Sequence, residues 1–203
     1  MRFLVTSAGS ANGGGHDAVL AFNAEGELVG AFSDDPRIVD PRGLCIDPSG
    51  TLIYLNSVDR MLALDHSGRV VHDSGPMTDL DPGGAVFGPD GCFYVTMRRR
   101  RTILGISATL DGHAEPSESP FRAPNAVVTV REYDPASGDL VRVFAPDRSV
   151  NFRQPRGLRL GPDGHLYCVG EAHAIAFDFS TGDFLGPVVR LPRLHGQALV
   201  LLD

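Results

Sequence analysis

Pro155-Arg156-Gly157-Leu158-Arg159-Leu160-Gly161-Pro162-Asp163-Gly164-His165-Leu166-Tyr167-Cys168-Val169 is the stretch that decides the fold. Apolar residues alternate with others on the near side of Gly-Pro-Asp-Gly, and a second apolar run follows it. That is the pattern of two antiparallel strands joined by a tight turn, proline setting φ and glycine supplying the left-handed position. The phrase recurs as Pro41-Arg42-Gly43-Leu44-Cys45-Ile46-Asp47-Pro48-Ser49-Gly50-Thr51-Leu52-Ile53-Tyr54-Leu55. A looser copy runs Pro82-Gly83-Gly84-Ala85-Val86-Phe87-Gly88-Pro89-Asp90-Gly91-Cys92-Phe93-Tyr94-Val95. A second hairpin follows each copy, at residues 61–71, 127–141 and 174–185. The repeating unit therefore has four strands, A to D.

Gly50 and Gly91 are spaced by about 40 residues, the period of a propeller blade. The step from Gly91 to Gly164 is longer by about 30 residues, which places an insertion in that unit. At the N-terminus, residues 3–32 supply strands B, C and D with no A strand, while residues 196–203 read as a lone A strand. Pairing the two ends completes a blade and removes two exposed sheet edges. The expected fold is an all-β, small, four-bladed β-propeller whose C-terminal strand completes the N-terminal blade. Its blades are expected at 3–32 plus 196–203, 41–75, 83–146 with an insertion at 98–125, and 156–192. An eight-bladed ring shared by two chains, or an open half of a larger array, is the alternative arrangement.

Composition bounds the function. The 203 residues suffice for one domain with a full core, and the 24 glycines and 15 prolines suit a fold that turns often. A formal net charge of −7 argues against general nucleic-acid binding, which needs a broad basic surface. No apolar run is long enough to cross a bilayer as a helix, so no membrane partner is expected. The three cysteines, Cys45, Cys92 and Cys168, lack the Cys-x-x-Cys spacing of a zinc site and read as buried reduced thiols of a cytoplasmic protein.

The phrase Pro-Arg-Gly-Leu, then Asp-Pro-Ser-Gly or Gly-Pro-Asp-Gly, then Leu-Tyr-x-Val, resembles the NHL-type repeat. It is also similar to the propellers of the gluconolactonase and virginiamycin B lyase kinds. Such propellers serve as lyases, lactonases and non-catalytic binding platforms, so the resemblance speaks to fold more than to activity.

Sorting the connections by face localises the chemistry. The A-to-B and C-to-D turns share the bottom face, are short, and carry His66 and His165, while His72 lies in a D strand. These three histidines are assigned to structure or solvent. The D-to-A and B-to-C connections share the top face. They bring Arg42, Arg156 and His195 to matching positions, together with His16, Asp17, Asn56, Asp59, Arg60, Glu171 and His173. The insertion adds the run Arg98 to Arg101 and His113. Four of the seven histidines thus fall on one face, a pattern suited to convergent ligands or acid–base groups.

Glu171 and His173 are two apart at a strand end, so they point the same way and could share a divalent cation or a proton. The resemblance to virginiamycin B lyase-like propellers implies such a pair in a late blade with magnesium. It also implies a histidine one blade earlier, where this chain has Met97 and Arg98. His113 is the candidate to take that place. The expected catalytic residues are His173, Glu171 and His16. The expected substrate contacts are Arg42, Arg156, His195, Arg98 and Asn56, the arginines suited to an anion through their planar fork. Glu171, His173 and His113 are the candidate ligands of a divalent metal, magnesium, calcium or zinc.

Two functions fit these residues. One is an enzyme of lyase, lactonase or isomerase type acting on a small anionic molecule at the top face, working as a monomer or homodimer. The other is a non-catalytic propeller binding a protein or peptide through that face and the 98–125 loop. The absence of a covalent-nucleophile signature directs the enzymatic reading toward proton transfer.

Overall fold

The computed structural model describes residues 2–9, 15–77, 82–87, 93–97, 102–106, 117–118, 130–133, 140–147, 149–150, 152, 156–192 and 194–202. The described residues form antiparallel sheets and no helix. The first sheet contains β1 (Arg2–Ser7), β2 (Ala18–Phe22), β3 (Leu28–Ser33) and β18 (Gly196–Leu202), in the order β18-β1-β2-β3. Leu4 faces Val200 and Phe3 faces Leu201, so the C-terminal strand closes the N-terminal sheet as the alternation at both ends predicts.

The second sheet is β4 (Leu44–Ile46), β5 (Ile53–Asn56), β6 (Met61–Leu64) and β7 (Val70–Asp73), paired in sequence order. The third has β8 (Pro82–Phe87), β9 (Phe93–Met97), β10 (Thr102–Ile106) and β11 (Ser117–Glu118). A two-stranded sheet joins β12 (Val130–Tyr133) to β13 (Leu140–Phe144). The last sheet is β14 (Gly157–Leu160), β15 (His165–Val169), β16 (His173–Asp178) and β17 (Phe184–Arg190). This is a small β-propeller.

One expectation meets a different pairing. The sequence places residues 98–125 as an insertion in the blade 83–146 and the second hairpin of that blade at 127–141. Instead, Thr102–Ile106 pairs with β9 and Ser117–Glu118 continues outward, while β12 and β13 form a separate sheet. A hairpin closed over the few residues between β9 and β10 loses less loop entropy than one closed over about 30. Thr-Ile-Leu-Gly-Ile also has the β-branched content of a strand.

The sheets stack face to face, and each interface is an apolar cluster. Phe3, Val5 and Leu20 of the first sheet pack with Tyr167, Val169 and Ala176 of the last. The opposite face of the first sheet, through Leu4, Val19 and Val200, packs with Leu44, Leu55 and Leu62 of the second. Cys45, Tyr54 and Ala63 then meet Phe93 and Val95 of the third. Phe144 and Val130 of the two-stranded sheet cover Leu166, Ile175 and Phe177. Middle strands such as β2, β5 and β6 are consequently buried on both faces, whereas the outer β3 and β7 are largely exposed. Cys45 and Cys168 are free thiols in these interfaces, and burial pushes both up to about 12.

The repeated glycine of Pro-Arg-Gly-Leu has a steric cause. A Cβ on Gly157 would stand 2.7 Å from Ala198 Cα and 2.8 Å from Gln197 O of β18. One on Gly43 would stand 2.6 Å from Ala85 Cβ and 2.8 Å from Ala85 N of β8. At both places one inner strand passes directly against its neighbour, and only hydrogen fits between the backbones. Gly157→Ala should therefore lose about 1–3 kcal/mol in urea denaturation, the range for overpacking against a backbone that cannot yield. Gly84→Ala, where a Cβ meets nothing within 4 Å, should stay within about 0.5 kcal/mol of wild type. Equal losses in the two variants would refute this account of the repeat.

Candidate functional site on the top face

Ser7 is the last residue of β1, fully buried, beside the register shift between Val5 and Ser7. Its hydroxyl donates to the carbonyl of Leu194 at 2.5 Å. The same oxygen accepts the backbone N–H of His16 at 3.2 Å and lies 3.0 Å from His16 Nδ1. A carbonyl can only accept, so the serine hydrogen is committed to Leu194 and Nδ1 must be the donor to Ser7. Neutral His16 is thereby fixed with its proton on Nδ1 and its lone pair on Nε2. The residue is exposed at the start of the β1–β2 connection's return to the sheet, so the ring presents a proton acceptor to solvent.

His195 is built in through its backbone. It takes a left-handed conformation, φ 45°, and its N–H donates to Glu171 O at 2.7 Å. Its carbonyl accepts Ala8 N at 3.4 Å and Gln197 Nε2 at 3.1 Å. Gln197 Oε1 in turn accepts Arg42 Nη1 at 3.3 Å. Arg42 also grips Asp40 through Nε at 3.2 Å and through Nη2. Asp40 N donates to Asp17 Oδ1 at 3.1 Å. Thr6 Oγ1 donates to Arg42 O at 3.2 Å and accepts Ala198 N at 3.0 Å. A continuous network thus joins the top ends of β1, β4 and β18 to the loops around them.

Asp17, Asp40 and His195 are the non-glycine residues with positive φ among the described ones, at 47°, 47° and 45°, and all three sit on top-face connections. Such conformations cost free energy and persist where surrounding bonds over-determine them, which is frequent at functional sites. The hydrogen bonds to Asp40 N and His195 N supply that constraint here.

The expected residues separate by environment. Asn56 is fully buried, its Oδ1 accepting Gly43 N at 2.7 Å and its Nδ2 donating to Gly83 O at 3.1 Å. These are the contacts of a residue that ties the second sheet to the third, in place of the substrate contact expected for it. Arg42 is charge-paired with Asp40, so much of its charge is already compensated. Asp59 and Arg60 pair with each other at 2.9 Å. Arg156 is exposed at the top of β14, its N–H donating to Val169 O at 2.9 Å. Arg98 and His113 lie outside the described residues, as does most of the 98–125 loop.

Glu171 and His173 bracket the turn from β15 to β16, but no hydrogen bond or ion pair joins their side chains among the described contacts. His173 Nδ1 is buried without a partner, and the residue faces Arg190 across β16 and β17. Burial, then the Arg190 charge, lower its proton affinity below that of an ordinary histidine. Among the described residues no three His, Cys, Asp or Glu side chains gather closely enough to hold a metal ion. Of the expected donors, Glu171 and His173 are described, and His113 lies outside the described residues.

Ser7, Leu194 and Gln197 had no signal in the sequence. They are separated from their partners by up to 187 residues, and a lone serine or glutamine in a strand carries no spacing to read.

No family model matches the chain, and no curated protein does. Among solved structures it is similar to a protein of unknown function from Bacteroides caccae, with 10% identity and a TM-score of 0.49, over 98% of this chain and 97% of that one. It is also similar to virginiamycin B lyase from Staphylococcus aureus, with 18% identity and a TM-score of 0.42, over 81% of this chain and 61% of the lyase. A putative 6-phosphogluconolactonase from Bacteroides uniformis aligns over 86% of this chain and 51% of its own, at 16% identity and a TM-score of 0.35. The propeller assignment rests on the strand pairings themselves.

Two measurements test these environments. Asn56→Ala orphans the buried Gly43 N–H and the half-buried Gly83 C=O and should cost about 2–4 kcal/mol in urea denaturation; a loss below about 0.5 kcal/mol would contradict the bridging role. For His173 the sign follows from linkage. Its folded proton affinity lies below the unfolded value of 6.5, so the unfolded chain binds the extra proton as pH falls through that value. Wild type should therefore lose stability relative to His173→Gln between pH 8 and pH 5. A constant difference across that range would show that burial does not suppress its charge.

Proposed function

We propose that this propeller is a small-molecule enzyme whose top face carries out proton transfer on an anionic substrate, with His16 as the base. The observation that carries the reading is the Ser7 hydroxyl, which bonds Leu194 O and His16 Nδ1 at once. A base needs a defined tautomer, an exposed nitrogen and support for the charge it acquires. Nε2 of His16 accepts a proton from a substrate carbon or from an attacking water. The Nδ1–H stays bonded to Ser7, whose oxygen, polarised by its own bond to Leu194, stabilises the imidazolium that forms.

Lyase, isomerase and lactone-hydrolysing reactions share this step and differ in what leaves or attacks. Ser7 itself is fully buried and its hydrogen is committed, so it serves His16 rather than attacking substrate. Arg156 and His195 flank the same face and are the contacts proposed for the substrate's polar groups. Glu171 contributes its carbonyl to the position of His195.

The test is a panel of lactones and of carboxylates bearing a leaving group beta to an acidic C–H, assayed with wild type and His16→Gln. Turnover of at least one member is expected, falling by about 10²–10⁴-fold in the variant, the usual contribution of a general base. No turnover by wild type across the panel, or turnover unchanged in His16→Gln, would contradict the reading.

A further inference from the structure

Arg159 is the third residue of β14, the inner strand of the last sheet. Gly157, two residues earlier and on the same face, packs against β18. From that face Arg159 reaches past β18 to β4, where Nη2 donates to Leu44 O at 2.7 Å. Strands β4, β14 and β18 each pair on one side only, with β5, β15 and β1. Their other edges have no strand partner in the sheet. Arg159 therefore reaches from one of these strands to cap a carbonyl of another.

That bond leaves the guanidinium under-satisfied. Nε is buried and has no acceptor. Among the described residues Nη1 has no hydrogen-bond partner either, and Arg159 as a whole is half-buried. Among the described residues no carboxylate pairs with it. Arg37, Arg42, Arg60 and Arg69 all face aspartates. Arginine does not shed its proton to escape a poor environment, and a partly desolvated cation without a partner costs free energy. In a chain of net charge −7, this inner-strand cation has no acid partner among the described residues.

We infer that Arg159 is an anion-binding residue at the unpaired edges of the inner strands, taking the carboxylate of a small molecule on its Nη1 side. A guanidinium matches the paired oxygens of a carboxylate in a plane, which gives charge neutralisation and orientation together. The inference names the anionic group of the substrate class proposed above but stands on separate contacts, and its test needs no turnover.

Thermal unfolding of the full chain is followed in sodium acetate and in sodium chloride at equal ionic strength, with sodium phosphate as a third arm. Acetate should raise Tm of wild type by several degrees over chloride, saturably. Arg159→Gln keeps an amide donor for Leu44 and should weaken the apparent Kd for acetate at least tenfold. Arg159→Lys should retain part of the effect, and His16→Gln all of it. Equal Tm in acetate and chloride for wild type, or an undiminished acetate effect in Arg159→Gln, would overturn the site. Stabilisation by phosphate without stabilisation by acetate would overturn the carboxylate assignment.

Discussion

β18 returns from the far end of the chain to pair with β1, and this contact sets both the core and the top face. Leu4, Val5, Leu199 and Val200 are all buried by it. On one side the joined sheet packs on Tyr167 and Val169, and on the other on Leu44 and Leu55. The same pairing brings Leu194 beside Ser7 and Ala198 beside Thr6. Loop closure across nearly the whole chain is entropically costly. The apolar area buried on both faces of β1 offsets that cost, since each large side chain removed from water contributes about 1.5–3 kcal/mol. Core and site are therefore consequences of one strand pairing.

The histidines show how position on this scaffold sorts identical side chains. His16 is exposed and oriented by a buried hydroxyl. His173 stands in a partly desolvated position opposite an arginine, and both lower its proton affinity. His195 contributes chiefly through its backbone, linking Glu171 to Ala8. His66 reaches Gly50 O and His165 approaches Asp163, both on the bottom turns. The arginines divide similarly: Arg42 is paired with Asp40, Arg142 lies over Phe144 and Phe179, and Arg159 has no acid partner among the described residues.

The fold was largely legible because its signals are local. Period-2 alternation, the Pro-x-Gly turns and the incomplete ends need only neighbouring residues to be read, and the end pairing followed from counting strands. Thr102–Ile106 and the hairpin at 127–141 compete for the edge of β9, and the nearer segment, with the lower closure cost, pairs with it. The location of the site was legible as a face, since connections alternate between faces by topology. Its chemistry was not. The tautomer of His16 depends on a carbonyl 187 residues from Ser7, and Asn56 looks in sequence like any loop-side amide while both its ends are spent on backbone.

Native-state hydrogen exchange tests the central claim, that pairing of β18 with β1 holds the domain and its top face together. Amides of Leu4 and Val5 and those of Leu199 and Val200 should exchange with one common free energy, equal to that of global unfolding. Exchange of β18 at a much lower free energy, with β1 still fully protected, would contradict it.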